Sequence, residues 1–257
     1  MITLKSITRS LAFALISPLF LISCSSDEAD GNGTLKLSAK TSVNNSSAKT
    51  ASTSKSINTD VFVSDFRVNI REFELEMEDA EYESDNESEY DDDIWDDDGY
   101  YDYEDEFELE GPFELDLLAG EINFLTVDVP NGDFEELEFK FDRSTDPNSD
   151  LFGKSVLIQG TINDIPFIFW NDFEDEVEVD FEESEFDISI RSNTEGIIIE
   201  FDLSEVFDVV SGVDLSQAAD GNENGTIEIS PEDPDGNNSL AETIRERIKT
   251  AIDLLDD

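Results

Sequence analysis

The chain has 257 residues, with 66 Asp and Glu against 15 Lys and Arg, no His and one Cys, for a formal charge of −51. That balance repels nucleic acid and anionic lipid headgroups and attracts cations or basic partners. The lack of His removes Ser-His and Cys-His catalysis, a single Cys excludes an intramolecular disulfide, and only carboxylate pairs or Ser-Lys arrangements remain for chemistry.

Lys5 and Arg9 precede an uncharged apolar run, Leu11 to Ile22. The run is too short for the roughly 30 Å of a bilayer core at about 1.5 Å per residue, and its length suits a signal-peptide segment. Leu21-Ile22-Ser23-Cys24 then resembles the lipobox of bacterial lipoproteins. The resemblance implies that residues 1–23 are removed and Cys24 carries acyl chains, several of which make a stable membrane anchor. Residues 24–33, polar and acidic, read as a lipidated tether. They are also similar to the acidic signal that sends Bacteroidota lipoproteins to the cell surface. The expected location is therefore the outer membrane, lipid-anchored, with exposure at the cell surface if that acidic stretch acts as the signal and a plain spacer as the alternative reading.

Thr34 to Ser38 alternates as a first strand, and the Ser/Asn/Lys-rich stretch after it reads as a loop. Over 61–78, Phe66, Val68 and Ile70 share one face and Phe73, Leu75 and Met77 another, with a shift at Arg71-Glu72 that predicts a bulge. More than half of residues 72–110 are acidic and none is basic. The pattern predicts a long hairpin with an acidic insertion at about 79–106. Strands follow at 113–120, 122–129, 134–142, 155–162 and 165–170, with turns at Pro130-Asn131-Gly132 and Asn163-Asp164. Val177, Val179 and Phe181 alternate, as do Phe186, Ile188 and Ile190. Gly196 to Leu203 is a continuous apolar run expected of a central strand. Short strands at spacings of about 8–12 residues predict an all-β fold, a single β-sandwich over 34–210. Residues 211–257 read as a C-terminal tail. Short helices are expected at 205–210 and 214–219, a strand at 226–230, and a helix opened by a Ser239–Glu242 capping box. Leu240, Ile244, Ile248, Ile252 and Leu255 would form its buried stripe.

Five stretches taken in order, GTLKL (33–37), VNIREFELE (68–76), FELDLLAG (113–120), VDVPNGDFEELEFKF (127–141) and IIIEFDL (197–203), resemble a family of uncharacterised Bacteroidota lipoproteins related to the DUF4382-type domain. The resemblance implies a prealbumin- or immunoglobulin-like sandwich and no particular activity.

Two constellations carry chemistry. Asp220, Asn222, Asn224, Thr226 and Glu228, with Gly225 at the sixth position, match the first part of a calcium loop. Its twelfth position is Pro231, and the acid falls one later, at Glu232. The second is aromatic: Tyr90, Trp95, Tyr100, Tyr101 and Tyr103 sit within the acidic insertion, where they offer contact area for a glycan or a basic protein patch. These features predict a non-catalytic binding or adhesive module of the envelope, with calcium as its candidate ion. The alternatives are a glycan-active enzyme using two carboxylates and a structural spacer without a ligand.

Overall fold

The structure, a computed structural model, describes residues 32–42, 55–56, 60–77, 106–180, 188–191, 193–208, 210, 212–232 and 234–256. The signal segment, Cys24, the tether up to residue 31 and the five insertion aromatics lie outside the described residues, and the last two tether residues, Asn32 and Gly33, open β1. The elements are β1 (Asn32–Ser42), β2 (Lys55–Ser56), β3 (Val61–Met77), β4 (Glu106–Asp116), β5 (Ile122–Pro130), β6 (Gly132–Phe141), β7 (Val156–Ile162), β8 (Ile165–Asn171), β9 (Glu176–Asp180), β10 (Ile188–Ile190), β11 (Thr194–Asp202), α1 (Leu203–Val206), β12 (Ile227–Ile229), α2 (Asn238–Thr250) and β13 (Ile252–Asp256).

The fold is all-β and sandwich-like. One sheet has the order β13-β11-β1-β5, with β1 and β11 parallel. The other is built on β3, whose 17 residues span roughly 55 Å at about 3.3 Å each. β7 pairs with the first half of β3 and β6 with the second, both antiparallel. Asn69 joins them: its N–H donates to the Ser155 carbonyl and its carbonyl accepts from the Asp142 N–H. β6 and β7 thus lie end to end along one edge of β3, with residues 142–155 pinched off between them. β4 occupies the other edge. β8 and β9 continue the pattern outward against β7 and β6. The expected bulge is present: Arg71 is the extra residue against β6, and on the β4 side it stands opposite two residues, Gly111 and Pro112. Asn163 and Asp164, both at positive φ, make the tight turn between β7 and β8.

The core fills the space between the sheets. Leu35, Leu37 and Ala39 of β1 and Ile197, Ile199 and Phe201 of β11 face Phe66, Val68, Ile70 and Phe73 of β3 and Phe139 and Phe141 of β6, all buried. Phe201 spans the layers, its ring centroid 6.0 Å from Phe66 and 6.4 Å from Phe139. β11 is flanked on both sides by strands, as its unbroken apolar run predicts.

The tail departs from expectation. Residues 211–257 are not an appendage to a domain ending at 210, since β12 pairs in parallel with β8 and β13 completes the smaller sheet beside β11. The helix stops at Thr250, so Ile252 and Leu255 belong to a strand. Backbone hydrogen bonding to β11 overrides a helical period that continues in sequence. The capping box does not form. Asn237 is the N-cap, its side chain bonds elsewhere, and Glu242 pairs with Arg245 at 3.0 Å. The first short helix begins earlier than expected, at Leu203, because the Asp202 carboxylate caps it by accepting from the Ser204 and Glu205 amides.

Candidate functional site

The second half of the large sheet carries the most pronounced chemical feature. Phe73 and Leu75 on β3, Leu137 and Phe139 on β6 and Val177 on β9 are buried. Side chains alternate along a strand, so the residues between these are directed together to the outer face. Pairing then stacks them in rows. Glu72 lies opposite Glu110 of β4 and Lys140 of β6, and Lys140 opposite Glu176 of β9. Glu74 lies opposite Glu108 and Glu138, and Glu138 opposite Glu178. Glu76 registers with Glu106 and Glu136, and Glu136 with Asp180. Lys140 is the sole basic residue in the three rows.

Like charges directly opposite each other destabilise a sheet. Here they crowd: one oxygen from each of Glu136, Glu138 and Glu178 lies within 4.8 Å of the others. Burial, followed by the neighbouring Glu176 charge, raises the proton affinity of Glu138 above the usual carboxylate range. The Lys140 ammonium, 2.8 Å from Glu176, lowers that of Glu176.

A raised acid beside a lowered one is the electrostatic arrangement of a two-carboxylate glycosidase. The geometry opposes that use. Such enzymes hold their carboxyls about 5–9.5 Å apart with a sugar between them. Here Glu138 and Glu176 crowd on a sheet face, close enough for the Glu176 charge to raise the proton affinity of Glu138, and the depression between Glu72, Glu74, Glu138 and Glu176 encloses only about 10 Å³. That volume admits no more than about one water molecule.

A larger groove, about 340 Å³, lies between the start of α2 and the kink joining β8 to β9. Its carboxylates are engaged by arginines. Asp175 accepts from Arg245 Nε at 2.8 Å and Nη2 at 2.7 Å and from Lys249 Nζ at 2.9 Å. Arg143 Nε sits 3.2 Å from Glu174. Arg245 also stacks on Phe173, 5.5 Å from the ring centre. Burial acts to raise the Asp175 pKa, but the hydrogen bonds from Arg245 and Lys249 prevail and lower it. Asp175 is therefore ionised at neutral pH and unsuited to donating a proton.

The 220–228 stretch forms a loop closed by its own polar side chains. Asp220 accepts from the Asn224 N–H at 3.0 Å and the Gly225 N–H at 2.8 Å. Asn222 and Asn224 turn their Nδ2 groups to Glu228 Oε2, at 3.2 and 3.3 Å. The Thr226 N–H donates to Asn224 Oδ1. Asp220, Asn222, Asn224 and Glu228 thus converge. Glu232 is exposed, and the acid that closes the loop is one the spacing did not single out. Asp235, 8% exposed, accepts from the Asn222 and Glu228 N–H groups at 3.1 and 2.7 Å. Gly221 permits this closure, since a Cβ there would stand 2.2 Å from the Asp235 carbonyl oxygen. Asn237 fastens the far side, donating to the Ala219 and Glu228 carbonyls. The repeated Asp-Gly at 235–236 was the sequence signal for this second acid.

The chain matches no family model, no curated protein and no solved structure.

Proposed function

We propose that this chain is a lipid-anchored, non-catalytic binding module of the bacterial envelope whose acidic sheet face docks a basic protein surface. The observation that carries the reading is the in-register stacking of carboxylates across β4, β3, β6 and β9 on an outer face where, among the described residues, the depression beside Glu138 encloses only about 10 Å³. The sheet is a rigid scaffold for that charge, because the opposite side of the same strands is core. Charge complementarity of this kind sets on-rate and partner choice more than raw affinity. The Leu21–Cys24 motif and the family resemblance support anchoring at the outer membrane.

A soluble form beginning at Ser25 is expected to bind an immobilised Lys-rich peptide. Binding should weaken on replacing Glu74, Glu108 and Glu178 by Gln. It should be nearly unchanged when Glu121, Glu205 and Glu232, exposed acids elsewhere, are replaced instead. Equal losses would reduce the acidity to a solubility device, which is the spacer reading. In the full chain, Cys24→Ser should release the protein from the membrane fraction. Retention there at mature size would refute the anchor.

Calcium at the 220–228 loop is a second reading, favoured by the convergence of Asp220, Asn222, Asn224 and Glu228. A cation held there would compete with the two amide groups now donating to Glu228. Binding to the folded state alone adds about 2.7 kcal/mol at a hundredfold excess over Kd. In high NaCl, which screens diffuse charge, calcium should still raise Tm, and Asp220→Ala should abolish the rise. A rise that survives the substitution would place the ion elsewhere.

A further inference from the structure

The groove between the start of α2 and the kink joining β8 to β9 has one wall whose hydrogen bonding is incomplete. Asn171, the last residue of β8, continues the inward parity of Phe167 and Phe169 and is 4% exposed. It borders the groove. Its backbone carbonyl accepts from the Ser155 N–H at 2.9 Å and from the Ser155 hydroxyl at 3.2 Å. Its Oδ1 accepts from the Asp172 N–H at 2.9 Å, which fixes the amide with Nδ2 turned away. Nδ2 has no acceptor among the described residues. A buried donor is costly to leave unmet, so its acceptor has to come from the groove. Arg143 stands on the same groove, half exposed. Its Nε donates to the Asp172 carbonyl at 3.1 Å, while Nη1 is 3.6 Å from the Asp172 carboxylate, beyond hydrogen-bond length. Arg143 thus brings further donors to the site.

We propose that this groove is a binding site for a neutral sugar, with Asn171 Nδ2 as its buried donor. The site rests on neither the acidic sheet face nor the calcium loop. Its 340 Å³ falls within the roughly 300–1,000 Å³ of small-molecule sites. The walls decide the charge of the ligand. Asp172, Glu174 and Glu242 outnumber Arg143, and Arg245 is already bound to Asp175, so an anion is repelled. A cation would face the Asn171 amide donor and the Arg143 guanidinium. A hydroxyl both donates and accepts. One sugar ring can therefore accept from Asn171 and Arg143 while donating to Asp172 or Glu174. The exposed Pro231 supplies an apolar surface for the C–H face of the ring. A peptide strand is suited less, because β7 and β12 already flank β8 and leave it no edge to extend. The Asp175 clamp on Arg245 and Lys249 holds α2 against the kink, so the walls are set before the ligand arrives.

Titration of the isotope-labelled protein, followed by NMR of its side-chain amides, tests the site with a fixed panel. The neutral members are glucose, galactose, mannose, N-acetylglucosamine, maltose, cellobiose and lactose, and the charged members are glucuronate and glucosamine, each taken to about 10 mM. At least one neutral sugar should bind with a Kd of about 1 mM or below and shift the Asn171 amide signal, identified by its loss in Asn171→Leu. Asn171→Leu should weaken that binding about three- to tenfold, the effect of one net hydrogen bond. Arg143→Met, at a half-exposed position, should weaken it to a similar degree, and it decides the matter if Asn171→Leu lowers Tm. Glu74→Gln, on the acidic face, should leave sugar binding unchanged. The proposal is overturned if no neutral sugar binds in that range, if glucuronate or glucosamine binds more tightly than every neutral member, or if Arg143→Met and a folded Asn171→Leu both leave binding intact. The Lys-rich peptide should bind both groove variants as it binds the wild type, so loss of the docking face leaves the sugar site standing, and the reverse.

Discussion

Phe139→Ala is expected to lower stability by about 3–5 kcal/mol, the range for removing a buried aromatic side chain. Phe139 is 1% exposed and its ring meets three others, Phe73 at 5.8 Å, Phe141 at 5.7 Å and Phe201 at 6.4 Å. The Phe201 contact comes from the opposite sheet, so the cavity would open between the layers. Little can move into it, because each neighbouring ring is fixed on a strand paired on both sides. Urea denaturation should show a lower midpoint with an unchanged slope, the mark of lost stability without a change in the surface exposed. Phe152→Ala is the control. Phe152 lies in the pinched-off 142–155 segment, is 54% exposed, and should shift stability by no more than about 0.5 kcal/mol. A loss below about 0.5 kcal/mol for Phe139→Ala would mean that the two sheets do not pack as described.

The same alternation that identified this core also encoded the acidic face. Phe73, Leu75, Leu137 and Phe139 are visible in sequence as one parity of their strands, and Glu72, Glu74, Glu136 and Glu138 are simply the other parity. Strand periodicity gives the face of each residue, but not which strands stand side by side. That β6 and β7 line up along β3, bringing Glu138 between Glu74 and Glu178, depends on the Asn69 junction more than seventy residues away from its partners Asp142 and Ser155. Local pattern also cannot arbitrate at Ile252, where an i, i+4 stripe continues although the backbone has left the helix to pair with β11. The 220–228 loop lies between these cases. Its spacing identified Asp220, Asn222, Asn224 and Glu228, and missed Asp235 because the closing acid sits beyond the ordinary length of such a loop.

Asp175→Asn should cost about 2–3 kcal/mol and free α2 from the sheet. The variant keeps the shape of the side chain and removes the charge, leaving Arg245 and Lys249 only the more exposed Glu242 and Glu246 on their own helix. Breaking a buried pair in this way costs more than the pair contributes relative to an apolar replacement. Side-chain exposures of 22–25% for the three groups place the loss below that of a fully buried pair. The damage should travel along the chain, because α2 leads directly into β13, which is held on one edge only, by β11. Exchange protection at 252–256 is expected to fall while that of β3 stays high. The pH dependence tests whether the charge is what fastens α2. Hydrogen bonds from Arg245 and Lys249 overcome burial and hold the Asp175 pKa below its ordinary 3.8. Its contribution is therefore complete above that value and lost as pH falls through the lowered one. The gap between wild type and Asp175→Asn should close on acidification below about pH 4. A gap that stays constant to lower pH would mean that Asp175 stabilises through packing or neutral hydrogen bonds, and that its charge is not what fastens α2.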